Sequence, residues 1–228
     1  MRPLAIITDI EGTTTPISFV QRVLFPYARA RLPGFRAAHA QDAIMAEVAR
    51  LAPLRPPLEA LLGWMDEDAK VTPLKTIQGM IWAEGYRLGE LKGALYPDVA
   101  PALRRWHAAG LRLFVYSSGS EEAQRLLFGH SEAGDLVPLF QGFFDTRTGP
   151  KREADSYRAI CRAVGAAPAE ALFLSDIEAE LDAAETAGLA TCQLVRAADG
   201  TAASPRHPHA ADFDGVAQCC GLPRAALA

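Results

Sequence analysis

Cysteine is scarce and poorly spaced for its usual structural roles. The chain carries four, Cys161, Cys192, Cys219 and Cys220, and none forms a Cys-x-x-Cys pair. That spacing argues against a disulfide scaffold and against a zinc site, so buried or incidental thiols in a reducing cytoplasm are expected. Positive charge is not in excess either. The formal net charge is −4 over 228 residues, which leaves no basic surface for nucleic acid. No apolar run approaches the ~18 residues of a membrane-spanning helix. The short N-terminal run meets Asp9 at once and lacks the small-residue cleavage site of a signal peptide. Nucleotide signatures are missing as well. No Gly-x-Gly-x-x-Gly follows the first apolar segment, and Gly149-Pro150-Lys151 lacks the upstream glycine and following Ser/Thr of a P-loop. A cytoplasmic protein acting on small molecules is what remains.

Half of the residues are hydrophobic, enough for a substantial core in one domain or in one domain carrying an insertion. Five short apolar or β-branched runs closed by polar residues read as buried strands: PLAIITD (3–9), LRLFVYSS (111–118), FQGFFDT (140–146), ALFLSD (171–176) and LATCQLV (189–195). Helical patterns separate the later ones, and Gly110, Gly165 and Gly188 stand where left-handed helix caps are expected. Strand and helix in alternation predict an α/β fold, a Rossmann-like parallel sheet flanked by helices. The core is expected over 1–15 and 96–228.

Residues 16–95 break this rhythm. Four amphipathic patterns run without a strand between them: ISFVQRVLFPYARARL, AAHAQDAIMAEVARL, PLEALLGWMDEDAK and PLKTIQGMIWAEGYRLGEL. Pro26 is expected to kink the first. This all-helical block reads as a cap inserted after strand one. Its Trp and Met positions are expected to pack rather than to hold a cofactor. The tail RAADGTAASPRHPHAADF reads as loop, with His207 and His209 solvated.

In a parallel sheet ligands gather beyond the carboxyl ends of the strands, so the strand-end residues carry the functional reading. Strand one ends in Asp9, with Glu11 just past it in TDIEGTTT. Strand two ends in Ser117-Ser118-Gly119-Ser120. The third leads to Lys151 at a helix start, and the fourth ends in Ser175-Asp176, with Glu180 a turn further on. Each has an ordinary explanation: serines and aspartates cap helices, and a lysine is usually solvated. Four different useful groups on one sheet edge point instead to phosphoryl transfer through an aspartyl-phosphate on Asp9. Asp9 and Asp176 offer carboxylates to one Mg²⁺, and the backbone oxygen of Glu11 offers a third contact. A serine hydroxyl after strand two and the N–H groups at the head of the following helix suit a phosphate. Lys151 would offset the charge of nucleophile and phosphate, and Glu11 would serve as general acid and base.

The motifs Asp-x-Glu-Gly-Thr, strand-end Ser, helix-start Lys and late Asp resemble, in this order, those of the haloacid-dehalogenase superfamily of phosphatases, and the helical block resembles its cap. The segments DIEGTTTPISFVQRVLFPYAR, IQGMIWAEGYRLGELKGALYPDV, VYSSGSEEAQRLLF, TGPKREADSY and FLSDIEAELDAA are similar to the enolase-phosphatases of methionine salvage. The resemblance implies that 2,3-diketo-5-methylthiopentyl-1-phosphate is enolised and dephosphorylated to 1,2-dihydroxy-3-keto-5-methylthiopentene. It places Asp9, Glu11 and Asp176 on the Mg²⁺ positions and Ser117, Ser118 and Lys151 on the substrate-phosphate positions. A monomer with a small-molecule phosphate substrate, and with neither nucleic acid nor membrane as partner, is expected.

The base for enolisation stays open. The extra methylene of Glu11 could carry its carboxyl to the carbon bearing the phosphate. Tyr86, Glu90 and Lys92 are candidates to grip the methylthio tail. Rival readings are another phosphatase of the superfamily, a dehalogenase, which has no use for Glu11 as an acid, and a receiver-type phosphoacceptor, which is much shorter and lacks a helical insertion.

Overall fold

The computed structural model describes residues 3–67, 69 and 71–225. Asp68 and Lys70, at the end of the third cap pattern, fall outside the described residues. The chain forms two compact units, one of Met1–Ile17 with Gly93–Ala228 and the other of Ser18–Lys92.

The sequence runs β1 (Ala5–Thr8), then α1 (Ile17–Phe19), a π-helical stretch Val20–Leu24, and α2 (Phe25–Ala38). The helices α3 (Ala43–Leu51), α4 (Pro57–Asp66) and α5 (Thr72–Arg87) complete the second unit. Pro26 makes its mark as that π-helical stretch. Its missing N–H leaves Arg22 O without the usual donor four residues on, and just ahead of it the Phe25 N–H bonds Val20 O, five residues back. The Trp82 indole donates to Leu24 O at 2.9 Å. Ala28 and Leu32 of α2 meet Met45, Val48, Ala60, Leu61, Leu74, Ile77 and Ile81 in one buried cluster, with Trp64, Met65 and Trp82 packed against it. These side chains are packing, as expected, while Met80 is exposed.

The first unit continues with α6 (Val99–Ala108), β2 (Arg112–Tyr116), α7 (Glu121–Gly129), β3 (Phe140–Phe144) and α8 (Ala154–Val164). After these come β4 (Ala171–Ser175), α9 (Glu178–Thr186), β5 (Ala190–Leu194), β6 (His209–Ala210) and α10 (Phe213–Cys219). The strands order as β3-β2-β1-β4-β5-β6 and every adjacent pair is parallel. All four residues of β1 are buried, because this central strand has sheet on both sides and helices on both faces. Ala5 and Ile7 join Phe114, Tyr116, Phe173, Tyr157, Ile160 and Leu181 on the face covered by α8 and α9. Ile6, by strand alternation, faces the other way. On the α6 and α10 side, Trp106 stacks on Phe213 at 5.2 Å.

The five strands expected from the apolar runs all form, and Gly110, Gly165 and Gly188 all take positive φ. The tail departs from its loop reading, since it supplies β6 and leads at its last residue, Phe213, into α10. His207 is not solvated. It is 3 % exposed, with Nδ1 3.0 Å from Thr191 Oγ1 and Nε2 2.9 Å from Asp182 Oδ1. The thiols differ from expectation too: Cys192, Cys219 and Cys220 come together, although nothing in their spacing announces it. Among the described residues no helix is long and apolar enough to cross a membrane.

Candidate active site

Asp9 extends the β1 ladder, its N–H donating to Leu174 O at 2.9 Å. The chain then folds back sharply. Ile10 O accepts from the N–H groups of Thr13, Thr14 and Thr15, and the Gly12 N–H donates to Thr15 O. Gly12 has φ +70, and a Cβ on it would lie 2.4 Å from Asp176 Oδ2. Only glycine lets the backbone turn this way so close to that carboxylate. The three threonines are buried, and the hydroxyls of two of them brace the turn. The Thr14 hydroxyl bonds the carbonyls of Asp9 and Ile10 (3.2 Å each), and Thr13 Oγ1 accepts from the Asp176 N–H at 3.0 Å. Thr13 O accepts from Arg196, whose guanidinium also forms a bidentate pair with Asp98 at 2.9 and 3.0 Å.

Lys151 precedes α8 and is buried. Its backbone is held by hydroxyls: Tyr157 donates to Lys151 O at 2.7 Å, Ser156 to Pro150 O at 2.8 Å and Tyr116 to Gly149 O at 2.9 Å. The ammonium lies 2.6 Å from Asp9 Oδ1 and 2.6 Å from Glu180 Oε2. Burial opposes its charge, but Asp9 and Glu180 outweigh that, and its pKa lies above the usual lysine value. Glu180 also accepts from Ser175 Oγ at 2.9 Å. Burial and then Asp9 hold its carboxyl above the ordinary range, against Lys151.

Asp176 is held by its backbone, N–H to Thr13 and carbonyl to Gln193 Nε2 at 2.9 Å. Its Oδ1 is buried and has no hydrogen-bond partner. Burial first, and Asp9 second, push its pKa up to about 7. Three carboxylates (Asp9, Asp176, Glu180) thus surround one ammonium, two negative charges in excess when all are ionised. A buried, unpartnered carboxylate oxygen in such a set fits a small, hard divalent cation, whose oxygen preference this donor set meets.

The structure brings Asp9, Lys151 and Asp176 together. Thr8 pairs with Val115 and with Leu174, so Asp9 stands level with Tyr116 and Ser175, at the edge where β2 delivers Ser117. Ser117 is buried, its N–H on Phe144 O and its Oγ accepting from Gly119 N–H. Ser118 and Glu11 are exposed, Glu11 bridging to Thr15 in the turn. Ser120 has the ordinary role of capping α7. In the second unit Tyr86 is buried, Lys92 is exposed, and Glu90 accepts from Tyr27 and pairs with Arg31. Sequence reasoning noted Glu180 only as a carboxylate one turn beyond Asp176 and gave it no role. The Arg196–Asp98 clamp was missed, because its partners lie far apart in the chain.

With this sheet edge in view, the chain belongs to the haloacid dehalogenase-like hydrolases, whose family model matches residues 3–188. Its curated relatives narrow the class. The chain is 65% identical to Enolase-phosphatase E1 of Granulibacter bethesdensis, covering 97% of this chain and 98% of the relative. It is 60% identical to Enolase-phosphatase E1 of Gluconacetobacter diazotrophicus, covering 97% and 96%. Among solved structures it resembles the UTR4 protein of Saccharomyces cerevisiae, with 35% identity and a TM-score of 0.80, over 93% of this chain and 99% of that one.

Proposed function

We propose that this chain is a Mg²⁺-dependent enolase-phosphatase of methionine salvage, acting in the cytoplasm as a monomer. It takes 2,3-diketo-5-methylthiopentyl-1-phosphate to 1,2-dihydroxy-3-keto-5-methylthiopentene and phosphate through an aspartyl-phosphate on Asp9. The observation that carries the chemistry is Lys151 Nζ, 2.6 Å from Asp9 Oδ1 and from Glu180 Oε2, beside the unpartnered Asp176 carboxylate. The substrate is supported by the relatives' shared name and by matches that run across nearly the whole chain, second unit included.

The reaction comprises an enolisation, in which one proton leaves carbon and one is added to oxygen, and two successive displacements at phosphorus. Loss of a proton from the phosphate-bearing carbon, and gain of one at the neighbouring ketone oxygen, gives the enol. Asp9 then attacks phosphorus, and the bond to the substrate oxygen breaks. Glu11, exposed on the turn after Asp9, protonates that oxygen and then takes a proton from the water that hydrolyses the aspartyl-phosphate; such help is worth ~10²–10⁴ in rate. Ser117, Ser118 and Lys151 hold the phosphate. Mg²⁺, held by Asp9, Asp176 and the carbonyl of Glu11, would supply fixed positive charge that lets two anions approach. Lys151, 2.6 Å from Asp9 Oδ1, keeps that carboxylate aimed.

Phosphate release from a panel of small phosphate esters including the diketone phosphate, with and without Mg²⁺, tests this, with enol absorbance followed in parallel. Strong preference for the diketone with a transient enol is expected. Activity spread over ordinary esters with no enol would refute the substrate, and release unaffected by a chelator would refute the metal.

A further inference from the structure

Three of the four thiols have no part in the chemistry above, yet they cluster. Cys192 Sγ is 3.5 Å from Cys219 Sγ, which is 3.5 Å from Cys220 Sγ, and all three lie within 4.8 Å of one another. We propose that Cys192, Cys219 and Cys220 form a three-sulfur site for a soft monovalent cation of the Cu(I) class. The fourth thiol, Cys161, is buried with α8 on a different side of the core.

The fold builds this site from two elements. Cys192 lies in β5, fully buried and paired in register with Leu174 of β4. Cys219 ends α10, and Cys220 is its cap, with φ −102 and ψ 7. Successive residues inside a helix diverge by about 100°. Because Cys220 has left the helical conformation, the two adjacent side chains can turn to the same side. The Cys220 N–H still bonds Val216 O at 2.9 Å, and Leu222 N–H bonds Ala217 O, so the turn is tied down.

Spacing and donor type then select the ligand. Metal–thiolate bonds of about 2.3 Å around a trigonal centre would space the sulfurs about 4 Å apart. The observed separations fall around that value, so little movement is required. Soft sulfur donors favour Cu(I), zinc or iron–sulfur clusters and reject Mg²⁺. Among the described residues no histidine or carboxylate joins the group, so the fourth protein ligand of a structural zinc site is missing. A cation content with three ligands fits best. Cys192 forms the closed floor, while Cys219 is exposed and Cys220 half-buried, which leaves a way in from solvent. On binding, sulfur–copper bonds form, thiol protons pass to the buffer, and no oxidation state changes.

The test uses the full chain, reduced and kept anaerobic, titrated with Cu(I) against a chromophoric competing chelator and separately with Zn²⁺. One Cu(I) per chain is expected, with three sulfur neighbours by X-ray absorption and retention at least tenfold weaker in Cys219→Ser and in Cys220→Ser. Cys161→Ala should bind as the parent does. Both serine changes fall on accessible positions, so folding is checked by circular dichroism without disturbing the buried Cys192. The proposal is overturned if Cu(I) binds Cys220→Ser as tightly as the parent, if only two sulfurs coordinate, or if Zn²⁺ is retained in preference to Cu(I).

Discussion

Gly12→Ala separates the backbone's demands from those of the chemistry. At φ +70 an alanine pays about 1–2 kcal/mol for the left-handed conformation. In a chain of this length that lowers Tm by roughly 2–8 °C. The second effect is local. The new Cβ would stand 2.4 Å from Asp176 Oδ2, and ordinary contact requires about 1 Å more, so the carboxylate must yield. A displacement of about 1 Å in a catalytic constellation costs on the order of 100-fold in rate. Thermal unfolding without metal, followed by phosphate release across a Mg²⁺ titration, resolves the two. The expected result is a modest Tm loss with a large drop in activity and a higher Mg²⁺ requirement. A variant that loses a few degrees yet keeps parental activity and Mg²⁺ dependence would refute the link between this turn and Asp176.

Lys151→Met leaves Asp9 and Glu180 buried without their cation, and should cost about 3–5 kcal/mol at neutral pH. Urea unfolding should show that deficit shrinking as pH falls, because the Glu180 carboxyl, already held above its ordinary range, then takes up a proton. The Asp176 carboxyl, at about 7 against an ordinary 3.8, works in the same direction. Its folded value is raised, so its favourable contribution is complete below the unfolded value and disappears as pH rises through about 7. Without divalent cations Asp176→Asn should therefore be the more stable protein at pH 8, by on the order of 2 kcal/mol, with the difference gone near pH 4. Saturating Mg²⁺ should raise the parent's Tm and leave this variant's unchanged. Glu11→Asp should slow enolisation at least tenfold, and enol formation at the parental rate would refute Glu11 as its base. Asp9→Asn should abolish phosphate release while leaving an enol absorbance to be looked for; release at the parental rate would exclude Asp9 as nucleophile.

Much of the sheet was legible because its strands are apolar runs with abrupt polar ends, which is what burial on both faces demands. The last strand was not, since two residues after a proline carry no periodicity and His209–Ala210 pairs only along one edge, with β5. The helix after it had a local signal, Asp212 accepting from the Gly215 N–H, in a segment otherwise rich in loop residues. Solvation of His207 was the natural reading of a Pro-rich tail, because its partners Asp182 and Thr191 become neighbours only through α9 and β5. At the site, strand-end positions could be read from the fold pattern. What a linear reading could not supply is which groups touch. Glu180 on Lys151, and Arg196 linking Thr13 to Asp98, depend on the order of strands across the sheet.

The placement of β1 sets a timetable for synthesis. It precedes the other strands of the sheet in the chain and is one of the two central ones, yet Ala5 must wait for Arg112 on one side and Ala171 on the other. At ~5–20 residues per second the second partner emerges roughly ten to thirty seconds after the strand itself. Over that interval an apolar segment with at least one edge open is available to wrong partners. The helical unit has no such delay, because its buried cluster is drawn from Ala28 to Ile81 and is complete before β2 is translated. All residues of the helical cluster are thus translated well before the sheet has its second strand. Slow-translating stretches anywhere between β1 and β4 would lengthen the vulnerable period of β1, those before Arg112 by delaying both partners and those after it by delaying only the second.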